Sequence, residues 1–484
     1  MHKRFQTLRY SMNQLGLTAA MITFAVNTAN AGAFSLYGES NGSAVGNYAA
    51  GIAAEAADAS TGWYNPAGLA LIHEKQAVFG GVGVFPRAQL TGSSTFRVAT
   101  LPDYVQTYQN LSSSDGALVP SFHYALPLSE NVTFGVSAVS PFGLRTNWPS
   151  GSGVRYAATM TELLTANLSP ELGAKFSENV AVGAGIDFQY AQVKFNRMLG
   201  APNVMRAFSP FLNLPATFLD SESYNRGHSF GLGFHAGILG LFHENHTRIG
   251  LNYQSQVRHQ FHGYSELRGP LAQPGINITN PLSIATSGYP TVSRSSNLRS
   301  NSIDLPEIVT LSGYQDINER LALLGSVVYT GWGSLKTIEL INAVAYTPPT
   351  ALTSGGQILV DTVSNENYKN VWRCSLGANY RLQDQWMFRL GGGYDQTPVN
   401  DVDRDIRVPD TNRWALAIGA HYEPKPAIGI DVGYTHLFGI GHPRVHTVEA
   451  LGSGSSFTLD ANVNAYANLV GGQVTWYLDK KASI

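Results

Sequence analysis

Charge is scarce in this chain. Only 13% of its 484 residues are Asp, Glu, Lys or Arg, about half the usual share of soluble domains. That argues against the two or three soluble domains that the length alone would suggest. Cysteine is nearly absent. Cys374 stands alone, which excludes an intramolecular disulfide and a cysteine metal site. Long apolar runs are missing beyond residue 31, where no stretch reaches the roughly 18 apolar residues of a spanning helix. A strong net charge is missing too: the formal value is −2, so nothing points to nucleic acid. His243, His246, His259 and His262 lack the H-E-x-x-H spacing, so no metal site and no cofactor are expected.

What is abundant is glycine and aromatic surface: 50 Gly, 23 Tyr, 22 Phe and 7 Trp. The chain opens with a signal-peptide pattern over residues 1–31. Lys3, Arg4 and Arg9 precede an apolar core at 15–26, and Ala29-Asn30-Ala31 is a small-residue cleavage site. A segment of small, weakly polar residues follows, with too little apolar bulk for a core of its own. It runs into Thr61-Gly62-Trp63-Tyr64-Asn65-Pro66-Ala67-Gly68. Proline fixes its own φ and pushes Asn65 out of the helical region, and the Asn side chain can bond neighbouring main chain. Two readings stand: a surface turn before a first strand, or the anchor of an N-terminal hatch, residues 32–76, inside a barrel.

From residue 77 onward the chain alternates with period two. Val132, Phe134, Val136 and Ala138 interleave with Thr133, Gly135 and Ser137; Trp414, Leu416, Ile418 and Ala420 interleave with Ala415, Ala417 and Gly419. One face suits lipid and the other suits a lumen. A soluble sandwich also alternates, but it carries charge on its outer face. Here charges fall mostly in turns and lumen positions. The pattern predicts an all-β fold: an antiparallel transmembrane β-barrel at 77–478 followed by a short tail at 479–484. Fourteen strands are expected, at 77–91, 117–127, 131–141, 157–177, 180–198, 228–242, 246–265, 299–316, 319–336, 366–382, 385–396, 411–423, 427–439 and 462–478. Short periplasmic turns alternate with long extracellular segments, as in bacterial outer-membrane barrels.

The fifth strand carries the clearest sign of a ligand. Its even positions, Val180 to Tyr190, are apolar and face lipid, so odd positions face the lumen. Beyond Tyr190 the odd positions Val193 and Phe195 become apolar, and Arg197 follows. That describes an apolar pocket with one guanidinium in it; a β-bulge turning Arg197 out to solvent is the alternative. On the tenth strand the same parity puts Lys369 and Arg373 inward. Lys369 is read as a second cation for a carboxylate or, with Arg373 and Arg389, as part of a lumenal ion-pair ladder. Phe208, Phe211, Leu212 and Phe218 make the 199–227 segment unusually apolar, either as a landing groove for hydrophobic molecules or as a self-packing cap. Gly227-His228-Ser229-Phe230-Gly231 satisfies G-x-S-x-G, but it opens a strand instead of the strand-to-helix turn that an esterase elbow needs. No enzyme activity is expected.

The residues also resemble a family, the FadL-type outer-membrane transporters of long-chain fatty acids and aromatic hydrocarbons. Asn65-Pro66-Ala67 is similar to its hatch motif. Leu305-Pro306-Glu307 with Ser312-Gly313-Tyr314, Tyr368-Lys369, Trp386-Met387-Phe388-Arg389, and Pro409-Asp410-Thr411-Asn412-Arg413-Trp414 leading to Asp431-Val432-Gly433 follow in the family's order. The resemblance implies a monomer that imports hydrophobic small molecules by diffusion, embedded among outer-membrane lipid and lipopolysaccharide. Ala191-x-x-Lys194-x-x-Arg197 matches the motif whose arginine faces the fatty-acid carboxylate. The family's third strand is kinked, so Pro141 and Gly143 are read as a lateral opening or as an ordinary strand end. The chain departs from the pattern in lacking a terminal aromatic after Tyr477. Fatty-acid import is the leading expectation; hydrocarbon uptake is the alternative, ahead of an esterase or an adhesin.

Overall fold

The computed structural model describes residues 35–98, 100–113, 116–287, 291–347, 355–452 and 455–480. The expected signal peptide and the last four residues of the tail lie outside them. Fourteen strands form the wall: β1 (Gln76–Val98), β2 (Ala117–Ser129), β3 (Val132–Val139, resuming as Gly143–Asn147), β4 (Met160–Ser177), β5 (Val180–Leu199), β6 (Ser221–Phe242) and β7 (Thr247–Gln254, then Val257–Arg268). They continue as β8 (Val292–Leu305, then Ile308–Asp316), β9 (Leu321–Thr330, resuming as Thr337–Thr347), β10 (Val371–Gln383), β11 (Trp386–Asp395), β12 (Arg413–Lys425), β13 (Ile428–Gly439) and β14 (Ser455–Tyr477). Each pairs antiparallel with the next, and β1 pairs with β14 from Gln76↔Tyr477 to Arg97↔Ser456, which closes the ring. Closure is what lipid demands, because an open edge would leave backbone groups without partners.

The faces fall as the alternation predicts. Leu390, Leu416, Ile418, Val432 and Val470 are exposed on the outside, with Trp372, Trp386, Trp414 and Trp476 among them, the aromatic dressing of a membrane band. Several connections expected to be loops are strand instead. Leu101–Ser113 pairs with the upper part of β1, Gly356–Asn365 with the resumed β9, and Arg444–Gly452 with the upper part of β14. β6 and β14 also begin seven residues before the alternation did. Above the bilayer the outer face meets water, so an extended strand there no longer has to be apolar at every second residue, and the periodic signal disappears.

Residues 36–54 and 58–70 are buried throughout and sit inside the ring. This segment has short helical turns and few large side chains, and its backbone is held by wall side chains. Ser326 Oγ accepts from Gly51 N at 2.8 Å and Ser312 Oγ from Ala53 N at 3.2 Å. Gln254 Nε2 donates to Trp63 O at 2.9 Å and Thr133 Oγ1 to Ile72 O at 3.0 Å. Asn65 is the busiest anchor. Its Oδ1 accepts from Ala67 N at 3.1 Å, capping the turn that Pro66 begins, and its Nδ2 donates to Ala53 O at 2.7 Å and to Ile238 O of β6 at 3.1 Å. Ala67 is fully buried beside it.

Close approach of the inner segment needs glycine in the wall. At Gly250 of β7 an added Cβ would overlap Ala53 O, whereas at Gly313 of β8 it would meet open space. Gly250→Val is therefore expected to leave the barrel folded but to unseat the inner segment, at a cost of about 1–3 kcal/mol for overpacking. Reconstituted into liposomes, this variant should leak small hydrophilic solutes while Gly313→Val stays as tight as the parent. Equal tightness of both variants would show that this contact does not seat the segment.

Candidate functional site

Above the inner segment lies an apolar chamber. Val193 of β5 is buried there with Leu163, Phe261, Leu305, Trp332, Leu335 and Tyr368, and Phe195 packs against the same cluster. The β5 register runs from Val180 to Leu199 against β6 with no shift, so the bulge alternative is absent and odd positions stay inward up to Arg197. A small cleft beside this cluster is lined by Val193, Phe195, Phe261, Leu298 and Leu340 together with Asn225, Arg226, Arg299 and Ser300. The segment after β11 folds down as a cover: Trp148 Nε1 donates to Ile406 O at 3.0 Å, and Arg407 donates to Ala157 O at 2.7 Å and to Thr161 Oγ1 at 3.1 Å.

The charges at this cover differ from the sequence picture of one lone cation. Arg197 Nη1 meets Glu449 Oε2 at 2.6 Å, with about a quarter of one side chain and a third of the other exposed (26% and 31%). Arg407 stands close by, 5.9 Å from the Phe195 ring centroid, and its Nε reaches Asp405 Oδ2 only at 3.7 Å. Burial pulls the Arg407 guanidinium below its usual range, with the Arg197 cation adding to the effect and the nearby carboxylates opposing it. Burial pushes the Asp405 carboxyl up. Glu366 is pushed up to about 7 by burial first and the Asp405 carboxylate second, against the Ser364 hydroxyl, the Arg407 cation and Tyr368. Two cations and three acids thus share the top of an apolar chamber, and both Arg407 and Glu449 escaped the sequence reading. A clue was present: residues 401–413 hold Asp401, Asp403, Arg404, Asp405, Arg407, Asp410 and Arg413 in a chain otherwise poor in charge.

Lys369 is not in the chamber. It is exposed, its backbone N–H donating to Pro398 O at 3.0 Å, while its neighbour Tyr368 turns its ring inward against Trp332 at 5.9 Å. The parity argument failed because β10 begins at Val371, and residues 366–370 are not strand. Arg373 and Arg389 do face inward, lower down. Arg373 lies 3.9 Å over the Tyr48 ring and donates to Tyr48 O at 3.2 Å. Arg389 pairs with Asp431, which also takes His421 Nδ1 at 3.0 Å. These are ties between the wall and the inner segment or within the wall.

β3 breaks at Ser140-Pro141-Phe142. Val139 pairs with Asn167 and Gly143 with Leu164, so three β3 residues oppose two of β4, which is a bulge. The β2–β3 ladder ends at Phe122↔Ala138, although β2 keeps pairing with β1 as far as Ala117. The wall therefore lacks ladder bonds between β2 and β3 above this point. On the inner side Leu36 N donates to Pro141 O at 2.9 Å and Ser35 bridges to Phe142. Phe142 also touches Trp332 of the chamber, 5.9 Å between centroids. A pocket opens beside the gap, lined by Ala88, Val408, Leu437, Ala465 and Ala467 with Arg87, Arg145, Asp410 and Arg413 among others.

Outside the barrel mouth, Phe208, Leu212 and Phe218 pack with Met205 and Leu219 against Leu271, Ile276 and Ile284 from the segment after β7. Phe211, on the helix Pro202–Leu212, stays 82% exposed, and Leu282 opposite is exposed too. The sequence-predicted groove is thus partly a self-packed cap with an apolar rim. Ser229 sits inside continuous β6, where its Oγ accepts from Gln260 N at 3.2 Å. No strand-to-helix turn surrounds it. Among the described residues no group of His, Cys, Asp and Glu has metal-site geometry.

Comparison with known proteins places these features in a family. The family model described as "Outer membrane protein transport protein (OMPP1/FadL/TodX)" matches residues 22–477. The long-chain fatty acid transport protein of Salmonella typhi is 28% identical over 405 residues, covering 83% of this chain and 86% of that protein. Outer membrane protein P1 of Haemophilus influenzae is 28% identical over 487 residues, covering 95% and 98%. A crystal structure of a Pseudomonas aeruginosa FadL homologue shares the fold with a TM-score of 0.75 at 23% identity, over 92% of this chain and 100% of that one. The Pseudomonas putida toluene transporter TodX gives 0.56 at 14% identity, over 86% and 93%. With the family match spanning the inner segment and the whole closed barrel, the chain belongs to the OMPP1/FadL/TodX family of outer-membrane transport proteins.

Proposed function

We propose that this protein imports long-chain fatty acids or similar amphiphiles passively across the bacterial outer membrane. The observation that carries the reading is the apolar chamber under a charged cover, enclosed by a lipid-facing ring. The chamber suits an acyl tail, because burying it is favourable by about 0.8 kcal/mol per CH₂. The two guanidiniums at its top suit a carboxylate. Phe211 and Leu282 at the mouth offer a first contact for apolar molecules. Arg197 facing Glu449 and Arg407 near Asp405 leave the top of the chamber without a net positive charge, which also favours a second reading, uptake of neutral hydrocarbons. No catalysis is part of either reading. Uptake of radiolabelled oleate by cells with and without the gene decides between them; loss of oleate uptake on deletion supports the first, and unchanged uptake excludes it.

The exit in this reading is sideways, between β2 and β3. Segment 35–37 stands between the chamber and the gap, joined to the kink by the Leu36–Pro141 bond and the Ser35–Phe142 bridge. The inner segment then acts as the gate through its N-terminal end, while Asn65, Pro66 and Ala67 hold the other end still. A Ser35→Cys, Phe142→Cys pair in a Cys374→Ser background should form a disulfide across this antiparallel pair. The oxidised protein is expected to import oleate at least tenfold more slowly, about 1.4 kcal/mol on the rate-limiting step, and reductant should restore it. Equal rates before and after reduction would mean that the segment is a fixed plug.

Acidity should modulate carboxylate binding. The ordinary range of a carboxyl lies well below about 7, where Glu366 ionises. Below about 7 it is neutral and the cover balances Arg197 and Arg407 against Glu449 and Asp405. Above it, one more negative charge faces Arg407. Affinity for dodecyl sulfate, whose own charge is constant, is expected to fall roughly fivefold, about 1 kcal/mol, as pH rises through this range. Glu366→Gln should flatten that profile; an unchanged slope would remove Glu366 from the cover's charge balance.

A further inference from the structure

Glu449 sits where an incoming carboxylate would bind. It reaches inward from the strand Arg444–Gly452, which pairs only with the upper part of β14 among the described ladders, and crosses the barrel mouth to Arg197 of β5. The contact is short, 2.6 Å. Both partners remain partly exposed, so the pair is open to competition from an arriving anion. The second guanidinium, Arg407, is near enough for its charge to be felt by both members of the pair. Its own acid partner is distant at 3.7 Å. A carboxylate at this point therefore meets two cations, one engaged by Glu449 and one held by Ala157 O and Thr161 Oγ1 with its acid partner 3.7 Å away.

We infer that Glu449 is a built-in competitor for monoanionic amphiphiles: the carboxylate of the ligand displaces the Glu449 carboxylate from Arg197, so the protein accepts an anionic head only by opening this tie. The inference rests on the import reading above and adds a specificity-determining residue to it. Exchange of one carboxylate for another on the same guanidinium is close to balanced in charge. The driving force is burial of the tail in the chamber, and the displaced Glu449 is rehydrated at the exposed rim. A neutral molecule of equal size fills the chamber without touching the tie. Opening the tie also releases the ion pair that joins the Arg444–Gly452 strand to β5. Head-group recognition is thereby coupled to loosening of the mouth.

The test uses the full-length protein in lipid nanodiscs with two probes, oleate and its neutral methyl ester. Glu449→Gln keeps the shape of the side chain and removes the competing charge. It should tighten oleate binding about fivefold, the factor set by a partly exposed ion pair of about 1 kcal/mol, and leave the methyl ester unchanged. In an Arg197→Ala background the same substitution should have a clearly smaller effect on oleate, because the guanidinium that both carboxylates bond is gone and only the charge of Arg407 remains. Heat-modifiable gel mobility confirms that each variant is a folded barrel. Unchanged or weaker oleate binding in folded Glu449→Gln overturns the inference, as does equal tightening for both probes. A wild-type protein that binds neither probe defeats the import reading itself, an outcome distinct from any of these.

Discussion

The structure depends on one constraint: in lipid, a backbone amide has no partner except another backbone group. The ladder between β1 and β14 meets that constraint by joining the two ends of the sheet along 22 consecutive residue pairs, Gln76 to Arg97. Everything else is built on the ring so made. The wall can then point small and polar side chains inward, and those side chains become the partners that the inner segment lacks. Ser312, Ser326, Gln254 and Thr133 bond its main chain. The segment has no core of its own and is ordered by the lumen. The segment, in turn, fills the lumen with residues 36–54 and 58–70, all buried.

The same constraint explains why β3 stands out. A proline with no N–H, a bulge and a ladder that stops at Phe122↔Ala138 are tolerable only where other groups supply bonds. Here Thr165 and the Leu36 N–H do so: Thr165 Oγ1 accepts from Phe142 N at 3.0 Å and Leu36 N donates to Pro141 O at 2.9 Å. This stretch of wall is thus completed by the first described residues of the inner segment. Chamber, inner segment and gap are joined through three residues, Trp332, Phe142 and Leu36.

The fold was legible in the sequence because lipid imposes a strict period of two on every strand that crosses it. The strand number, the faces and the short turns all followed from that. Strand ends were less legible, since the upper parts of β6 and β14 and the hairpin partner Arg444–Gly452 stand in water and carry no such period. The candidate site divided along the same line. Val193, Phe195 and Arg197 lie on the continuous β5 and were found by parity. Lys369 lies just before β10 begins, where parity has no meaning, and it points outward. Glu449 and Arg407 come from connections whose path across the mouth is set by tertiary contacts, such as Trp148 to Ile406, which leave no local pattern in the chain.

The height of the wall has a further consequence. β1 spans 23 residues, about 75 Å of extended chain, and at a tilt near 45° it rises roughly 50 Å, twice the apolar band of about 25 Å. On the side of β1 and β14, each of 23 residues, the wall therefore stands well above the apolar band, while β10 to β13, of 10 to 13 residues, end near it. In the proposed import, an oily molecule taken in at that rim would descend past the polar layer inside the protein. If it leaves through the broken seam beside β3, it re-enters an apolar medium without ever having been dissolved in water on the way.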